Sequence, residues 1–332
     1  MISIIYTTTR LDPKFEWFVD SLYHQILRDP DSPNEVELIK IQFDPTEPDQ
    51  FACNSLGALI IPPKPSIYQG SQRRTSCDMF SQSSVRNTGA MRSRGDYLVF
   101  VDDVSIAMPG WWNAVKEAAA KGIVVGGAYQ KHFEMVVEDG KLISSNQKTT
   151  EVLENGKMVK KLSGMDCRWD LGNDNGPVRV GGGQLYGCSL GIPYSEFVKI
   201  NGYDELADSI GYEDINFGLR LELAGVPIYY DRRMLTIESE ELHNQPYLMK
   251  REDRVLPPEA YIAKLATFGP KVRHTTGAFD SSHMLLDIVL GTKQAWSFGN
   301  NYTISDERKN GTLPKVPDTT HHWFDDKLLS EL

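Results

Sequence analysis

One short run limits the fold of this chain more than any other. Tyr97-Leu98-Val99-Phe100-Val101 is apolar throughout and stops at two aspartates, Asp102-Asp103. A strand with apolar side chains on both faces needs cover on both, as a central strand has when helices flank its sheet. The surrounding sequence supplies that cover. Ile2 to Tyr6 is a second apolar run, ended by Thr7-Thr8-Thr9-Arg10. Asp12-Pro13 reads as an N-cap and first helical position, after which Phe15, Phe18, Leu22 and Ile26 recur at helical spacing. Val36 to Phe43 is another strand, ending at Asp44. Ser76 to Arg94 reads as a helix, as does Pro109 to Lys121, which Gly122 stops before a strand from Ile123 to Tyr129. This order predicts an α/β fold, a mostly parallel, twisted sheet with helices on both faces. Ligands of such sheets gather at the carboxyl ends of the strands, where Thr7 to Arg10, Asp44 and Asp102-Asp103 all lie.

The middle of the chain changes character. Phe133 to Ile143 alternates around Asp139-Gly140, and Glu151 to Val159 around Asn155-Gly156. Both dipeptides favour two-residue hairpin turns, so an antiparallel annex is expected. Gly181-Gly182-Gly183 precedes an expected strand, Gln184 to Leu190. Glu213 to Ala224 reads as a helix ended by Gly225, and Val226 to Tyr230 as a strand. The pattern weakens beyond about residue 245, leaving an irregular carboxyl-terminal extension. The expected organisation is therefore 1–130, 131–245 and 246–332, the first two being halves of one domain.

Composition narrows the function classes. With 40% apolar and 24% charged residues in 332, the chain has ordinary globular content and a sizeable core. A net charge of -10 argues against a general basic grip on nucleic acid or anionic lipid. Cys53, Cys77, Cys167 and Cys188 form no C-x-x-C pair and read as reduced, mostly buried thiols. MISIIYTTTR lacks the basic start and long apolar segment of a signal peptide, and no stretch approaches the ~20 apolar residues of a membrane helix. The expectation is a cytoplasmic protein without a membrane span.

Two acid pairs carry the chemistry. Asp102-Asp103 is costly to crowd unless a cation or a hydrogen-bond network answers it. Mg²⁺ or Mn²⁺ is one answer, since both favour carboxylate oxygen; solvated turn aspartates are the other. Glu213-Asp214 opens a helix, where first-turn acids stabilise the helix dipole, or one of them serves as a general base.

The strings SVRNTGAMRSRGDYLVFVDD and NGYDELADSIGYEDINFGLRLELAGVPIYYD together resemble the inverting glycosyltransferases of the family 2 type, which have the GT-A fold. The second block is also similar to the carboxyl-terminal part of the β-galactosyltransferases. The resemblance rests on Arg86-Asn87-Thr88-Gly89, the strand ending in Asp102-Asp103, Pro109, Trp111-Trp112, Asn201-Gly202-Tyr203-Asp204-Glu205, Glu213-Asp214 and Ala224-Gly225. It covers residues 1 to 245 and makes 1–130 the donor half and 131–245 the acceptor and catalytic half.

What the resemblance implies is a metal-dependent transfer of a sugar from a nucleoside-diphosphate sugar, UDP- or GDP-linked, to an acceptor hydroxyl. The acceptor is a glycan, a protein or another hydroxyl compound, a nucleic acid included. Asp102 and Asp103 would hold Mn²⁺ or Mg²⁺, with His243 or Glu238 as a third ligand. Thr7, Thr8, Arg10 and Asp44 would border base and ribose, and Arg86 and Asn87 would support the donor side. Asp214 would be the base, with Glu213 beside it. Trp111, Gly182 and Gly183 are candidate acceptor contacts. Two rivals stand against this reading: a sugar nucleotidyltransferase, which wants a Gly-rich phosphate loop that Thr7 to Arg10 does not offer, and a non-catalytic sugar-binding scaffold.

Overall fold

The structure, a computed structural model, describes residues 1–8, 10, 12–27, 36–42, 58–61, 82–154, 157–200, 202–203 and 213–243. Asp44, Cys53, Cys77, Asn201, Asp204, Glu205, residues 76–81 of the expected helix and the whole of 246–332 lie outside them. Four strands build the parallel half of the sheet: β1 (Ile2–Thr7), β2 (Val36–Ile41), β3 (Leu59–Ile61) and β4 (Tyr97–Asp102). β1 sits between β2 and β4, with Thr7 opposite both Ile41 and Asp102. The polar residues that follow these strands therefore emerge side by side.

The other half comprises β5 (Ser105–Ala107), β6 (Val124–Glu138), β7 (Lys141–Gln147), β10 (Val178–Val180), β11 (Ser189–Pro193) and β12 (Ile228–Ser239). The order across the sheet is β10-β12-β6-β11-β4-β1-β2-β3, with β5 on β12 and β7 on β6. β11 runs antiparallel to β4, with Ser189 opposite Val101. That reversal puts the start of β11 at the carboxyl rim, next to Asp102.

Helices cover both faces, as the sequence implies. Val99 and Val101 face one way, with α1 (Phe15–Ile26) and α3 (Trp111–Lys121) packed on them. Leu98 and Phe100 face the other way, toward α2 (Gln82–Arg92), α4 (Tyr194–Lys199) and α5 (Glu213–Leu223). A last short helix, α6 (Glu240–His243), follows β12.

Three details differ from expectation. Asp12 does not cap α1: the helix starts at Phe15, and Lys14 before it is left-handed, with φ 54°. The strand expected from Ile123 and the first arm of the hairpin after it are one continuous strand, β6, of 15 residues. Gln184 ends a 3₁₀ turn, Gly182–Gln184, and β11 begins only at Ser189.

The hairpin annex is present. β6 turns into β7 at Asp139-Gly140, whose φ values of 46° and 66° are the left-handed pair of a type I′ turn. β8 (Thr149–Glu154) and β9 (Lys157–Leu162) pair with each other in a separate two-stranded sheet. Of the two described cysteines, Cys188 is buried and Cys167 exposed, both as free thiols. Among the described residues no helix is long and apolar enough to cross a membrane.

Candidate active site

The rim of β1, β4 and β11 gathers both acid pairs. Asp103 turns inward, where Thr8 Oγ1 donates to its Oδ2 at 2.6 Å and Arg10 Nε to its Oδ1 at 3.1 Å. Burial raises its pKa, against the pull of Arg10 and the Thr8 hydroxyl. Both of its oxygens are thus engaged by protein. Asp102 turns outward, 33% exposed at its side chain. Arg86 Nη2 donates to its Oδ1 at 2.9 Å, and its Oδ2 has no hydrogen bond among the described residues. The open oxygen belongs to Asp102.

The turn after this pair is strained. Val104 has φ 50°, a left-handed conformation that a β-branched residue rarely adopts and that costs about 1–3 kcal/mol. Three hydrogen bonds hold it there. The Val104 N–H reaches the Pro13 carbonyl at 2.9 Å and the Tyr6 hydroxyl at 3.1 Å, and its carbonyl accepts from Ser239 N–H at 3.0 Å.

Arg86, from α2, joins the two acid pairs. Its side chain is 1% exposed. Nη1 donates to Asp214 Oδ1 at 2.6 Å and to Glu213 Oε1 at 3.1 Å, while Nη2 reaches Asp102. Three carboxylates share one guanidinium. Burial pulls the Arg86 pKa down, and Asp214, Asp102 and Glu213 outweigh it, so the group stays cationic. The acids answer in kind. Burial, then the charge of Asp214, pushes Glu213 up to about 7. Burial also raises Asp214, with Arg86 opposing. The Gly187 N–H donates to Asp214 Oδ2 at 2.8 Å, so both oxygens of that acid are oriented.

A second group lies beyond Asp102. Glu238 on β12 is buried, and its carboxylate accepts no hydrogen bond among the described residues; Lys131 Nζ lies 3.9 Å from it. Burial pushes Glu238 up to about 8, Lys131 opposing and Asp102 and Asp103 adding. Burial, then Lys131 and Arg10, brings the His243 imidazole down to about 4, which leaves it neutral. These are oxygen and imidazole donors of the kind that suit a divalent ion, yet among the described residues no three such groups close on one point.

Several expected contacts are internal to the protein instead. Thr7 is buried in the sheet, its hydroxyl 3.4 Å from the Val101 carbonyl. Thr8 and Arg10 serve Asp103, and Arg10 also donates to the His243 carbonyl at 3.1 Å. Asn87 is fully buried and brackets Tyr203, accepting its N–H and donating to its carbonyl, each at 2.9 Å. Trp111 faces no acceptor: it is fully buried, with Nε1 donating to Ser189 Oγ at 3.0 Å. Gly182 lets the 3₁₀ turn and α5 touch, since a Cβ there would sit 2.3 Å from the Gly218 carbonyl oxygen. Gly183 opens onto free space. Sequence reasoning passed over Gly187. A glycine two residues ahead of a rim strand was the signal for it.

An α/β sheet with a carboxylate cluster at its rim is the class that this fold and site define. No protein-family model matches the chain, and no curated protein matches its sequence. Two solved structures resemble it in fold. One is the crystal structure of GalNAc-T7 with UDP, GalNAc and Mn²⁺, with a TM-score of 0.49 and 12% identity over 93% of this chain; the match spans 54% of that protein's chain. The other is the S. aureus TarS fragment 1–349, with a TM-score of 0.44 and 12% identity, covering 81% of this chain and 72% of that one.

Proposed function

We propose that this chain is an inverting, metal-dependent glycosyltransferase of the GT-A type, moving a sugar from a nucleoside-diphosphate sugar to an acceptor hydroxyl. One observation carries the reading: Arg86 draws Asp102, Glu213 and Asp214 into a single cluster at the rim, although about 110 residues separate the two acid pairs in sequence. Turn aspartates and dipole-stabilising acids have no reason to converge on one buried cation.

Asp214 is the proposed base. Its carboxylate is 24% exposed, is fixed by Arg86 and the Gly187 N–H, and has its pKa raised by burial, which favours its holding a proton. Glu213 shares Arg86 and would bind on the acceptor side. Asp102 would hold the divalent ion through the oxygen that Arg86 leaves open, with Glu238 and His243 nearest to complete the set. One or two protein carboxylates plus substrate phosphates is the way Mg²⁺ is commonly bound. Such an ion offsets the charge that develops on a leaving diphosphate. Asp103 keeps the turn in shape through Arg10 and Thr8.

The test is incubation with a panel of UDP- and GDP-sugars and Mn²⁺, followed by mass spectrometry. Release of nucleoside diphosphate that a chelator abolishes is the expected result, with an inverted anomeric centre in the product by NMR. Pyrophosphate exchange would instead mean a nucleotidyltransferase, and binding without turnover a scaffold.

A further inference from the structure

Both acids bond to the backbone of one short stretch, residues 184–188. The Gly187 N–H donates to Asp214 Oδ2 at 2.8 Å, and the Cys188 carbonyl accepts the Asp102 N–H at 3.3 Å. Short irregular segments do not hold such positions unaided. Arg168 is what this one leans on.

The Arg168 side chain is wholly buried. Its Nη1 donates to the Gln184 carbonyl at 2.8 Å, and its Nη2 to the Gly127 carbonyl on β6 at 2.7 Å. Nε and Nη2 form a fork on Asp166, at 2.9 Å to Oδ1 and 2.6 Å to Oδ2. The rings of Tyr186 and Tyr230 lie 4.2 Å and 4.6 Å from the guanidinium carbon. The planar group is therefore bonded along its edge to β6 and to the segment, and flanked by one ring from the segment and one from β12. A lysine offers neither the fork nor the flat faces. Arg168 makes no hydrogen bond to Asp102 or Asp214.

We propose that Arg168 is a positioning residue: it clamps residues 184–188 so that Gly187 and Cys188 hold Asp214 and Asp102 in working orientation. The catalytic half of this statement rests on the reading of Asp214 as the base. A buried Arg–Asp pair with a merely structural role would show itself in stability and nowhere else.

Arg168→Lys keeps a charge against Asp166 and removes the fork and the faces. In that variant the Gly187 amide is expected to exchange with deuterium about tenfold faster or more, while the amides of Val99 to Val101 keep their protection. Turnover should fall on the order of 10²-fold, the scale of a misplaced catalytic group. Tyr186→Ala should reproduce both effects, and Tyr186→Phe, which keeps the ring, should restore both. If Arg168→Lys does not fold, Tyr186→Ala against Tyr186→Phe decides the matter. Unchanged Gly187 exchange in a folded variant overturns the proposal, as does its loss only in step with the sheet amides. A wild-type protein that turns over no nucleotide sugar sinks the assignment of the base, while Gly187 exchange still decides the clamp.

Discussion

At the scale of single residues, the site turns on how one guanidinium is divided among three carboxylates. Asp214→Asn keeps size and one of the two hydrogen bonds but removes the proton acceptor, so transfer should drop by on the order of 10²–10⁴-fold with donor affinity retained. Rates and nucleotide affinity measured on the same preparation check this; wild-type transfer would move the role to Glu213. The two aspartates of the first pair should separate. Asp102→Asn is expected to weaken Mn²⁺-dependent nucleotide binding with little loss of stability. Asp103→Asn is expected to lower stability, because Arg10 would lose a buried anionic partner, an effect of about 3–5 kcal/mol when a buried pair is broken. Calorimetric titration and urea unfolding distinguish them.

The pH dependence has a definite sign. Glu213 has its pKa raised by burial from an ordinary 4.5 to about 7, so the folded chain holds a proton that the unfolded chain has released across that interval. Its contribution to stability is present below about pH 4.5 and is lost as pH rises through 7. The wild type should melt lower at pH 8 than at pH 5.5, and Glu213→Gln should narrow that gap in thermal melts. The acid pairs themselves were legible in the sequence, because acids after an apolar strand or at a helix start stand out. Arg86 was legible as part of a motif but not as the hub, since its partners come from β4 and α5. Trp111 lies in the core, and an aromatic on a helix looks the same in sequence whether it faces a sugar or the core.

At the scale of elements, strand and helix identity followed from periodicity, while ends followed from contacts no local pattern carries. β11 was expected from Gln184 and starts at Ser189, because the 3₁₀ turn before it is set by Gly182 against Gly218 on α5. The same contact makes a paired prediction. A Cβ on Gly182 would lie 2.3 Å from backbone oxygen, so Gly182→Ala should cost about 1–3 kcal/mol by forcing the turn off the helix. Gly183→Ala meets nothing within 4 Å and should unfold within about 0.5 kcal/mol of wild type. Chemical denaturation of the two variants is sufficient. Equal destabilisation would show that the turn does not depend on that approach.

At the scale of the whole molecule, the main sheet and the β8–β9 hairpin are separable. β8 and β9 pair with each other and with no other described strand, and Leu153 at 70% and Met158 at 59% are exposed. The ends of this hairpin are already joined, since Ser163 N–H donates to the Lys148 carbonyl at 2.9 Å. Replacing residues 149–162 by a two-residue turn should leave a chain that melts within a few degrees of the original, the range of about 1 kcal/mol in a chain of this size. A collapse in melting temperature would mean that the hairpin supports the core after all.

The sharing of Arg86 also has a consequence for the time at which the site comes into being. Arg86 leaves the ribosome 128 residues before Asp214 and Asp102 about 110, which is on the order of 10 s of synthesis at ~5–20 residues per second. Through that interval a cation destined for full burial has one of its three acids. An underpaired charge resists desiccation, so α2 has reason to stay loosely seated on the sheet until α5 emerges and docks. The nascent chain should accordingly resist protease at β1, β2 and β4 well after they emerge only once residue 214 has cleared the exit tunnel. On this account the amino-terminal half of the rim never exists in finished form awaiting the rest; it is completed and closed in the same event that delivers Asp214.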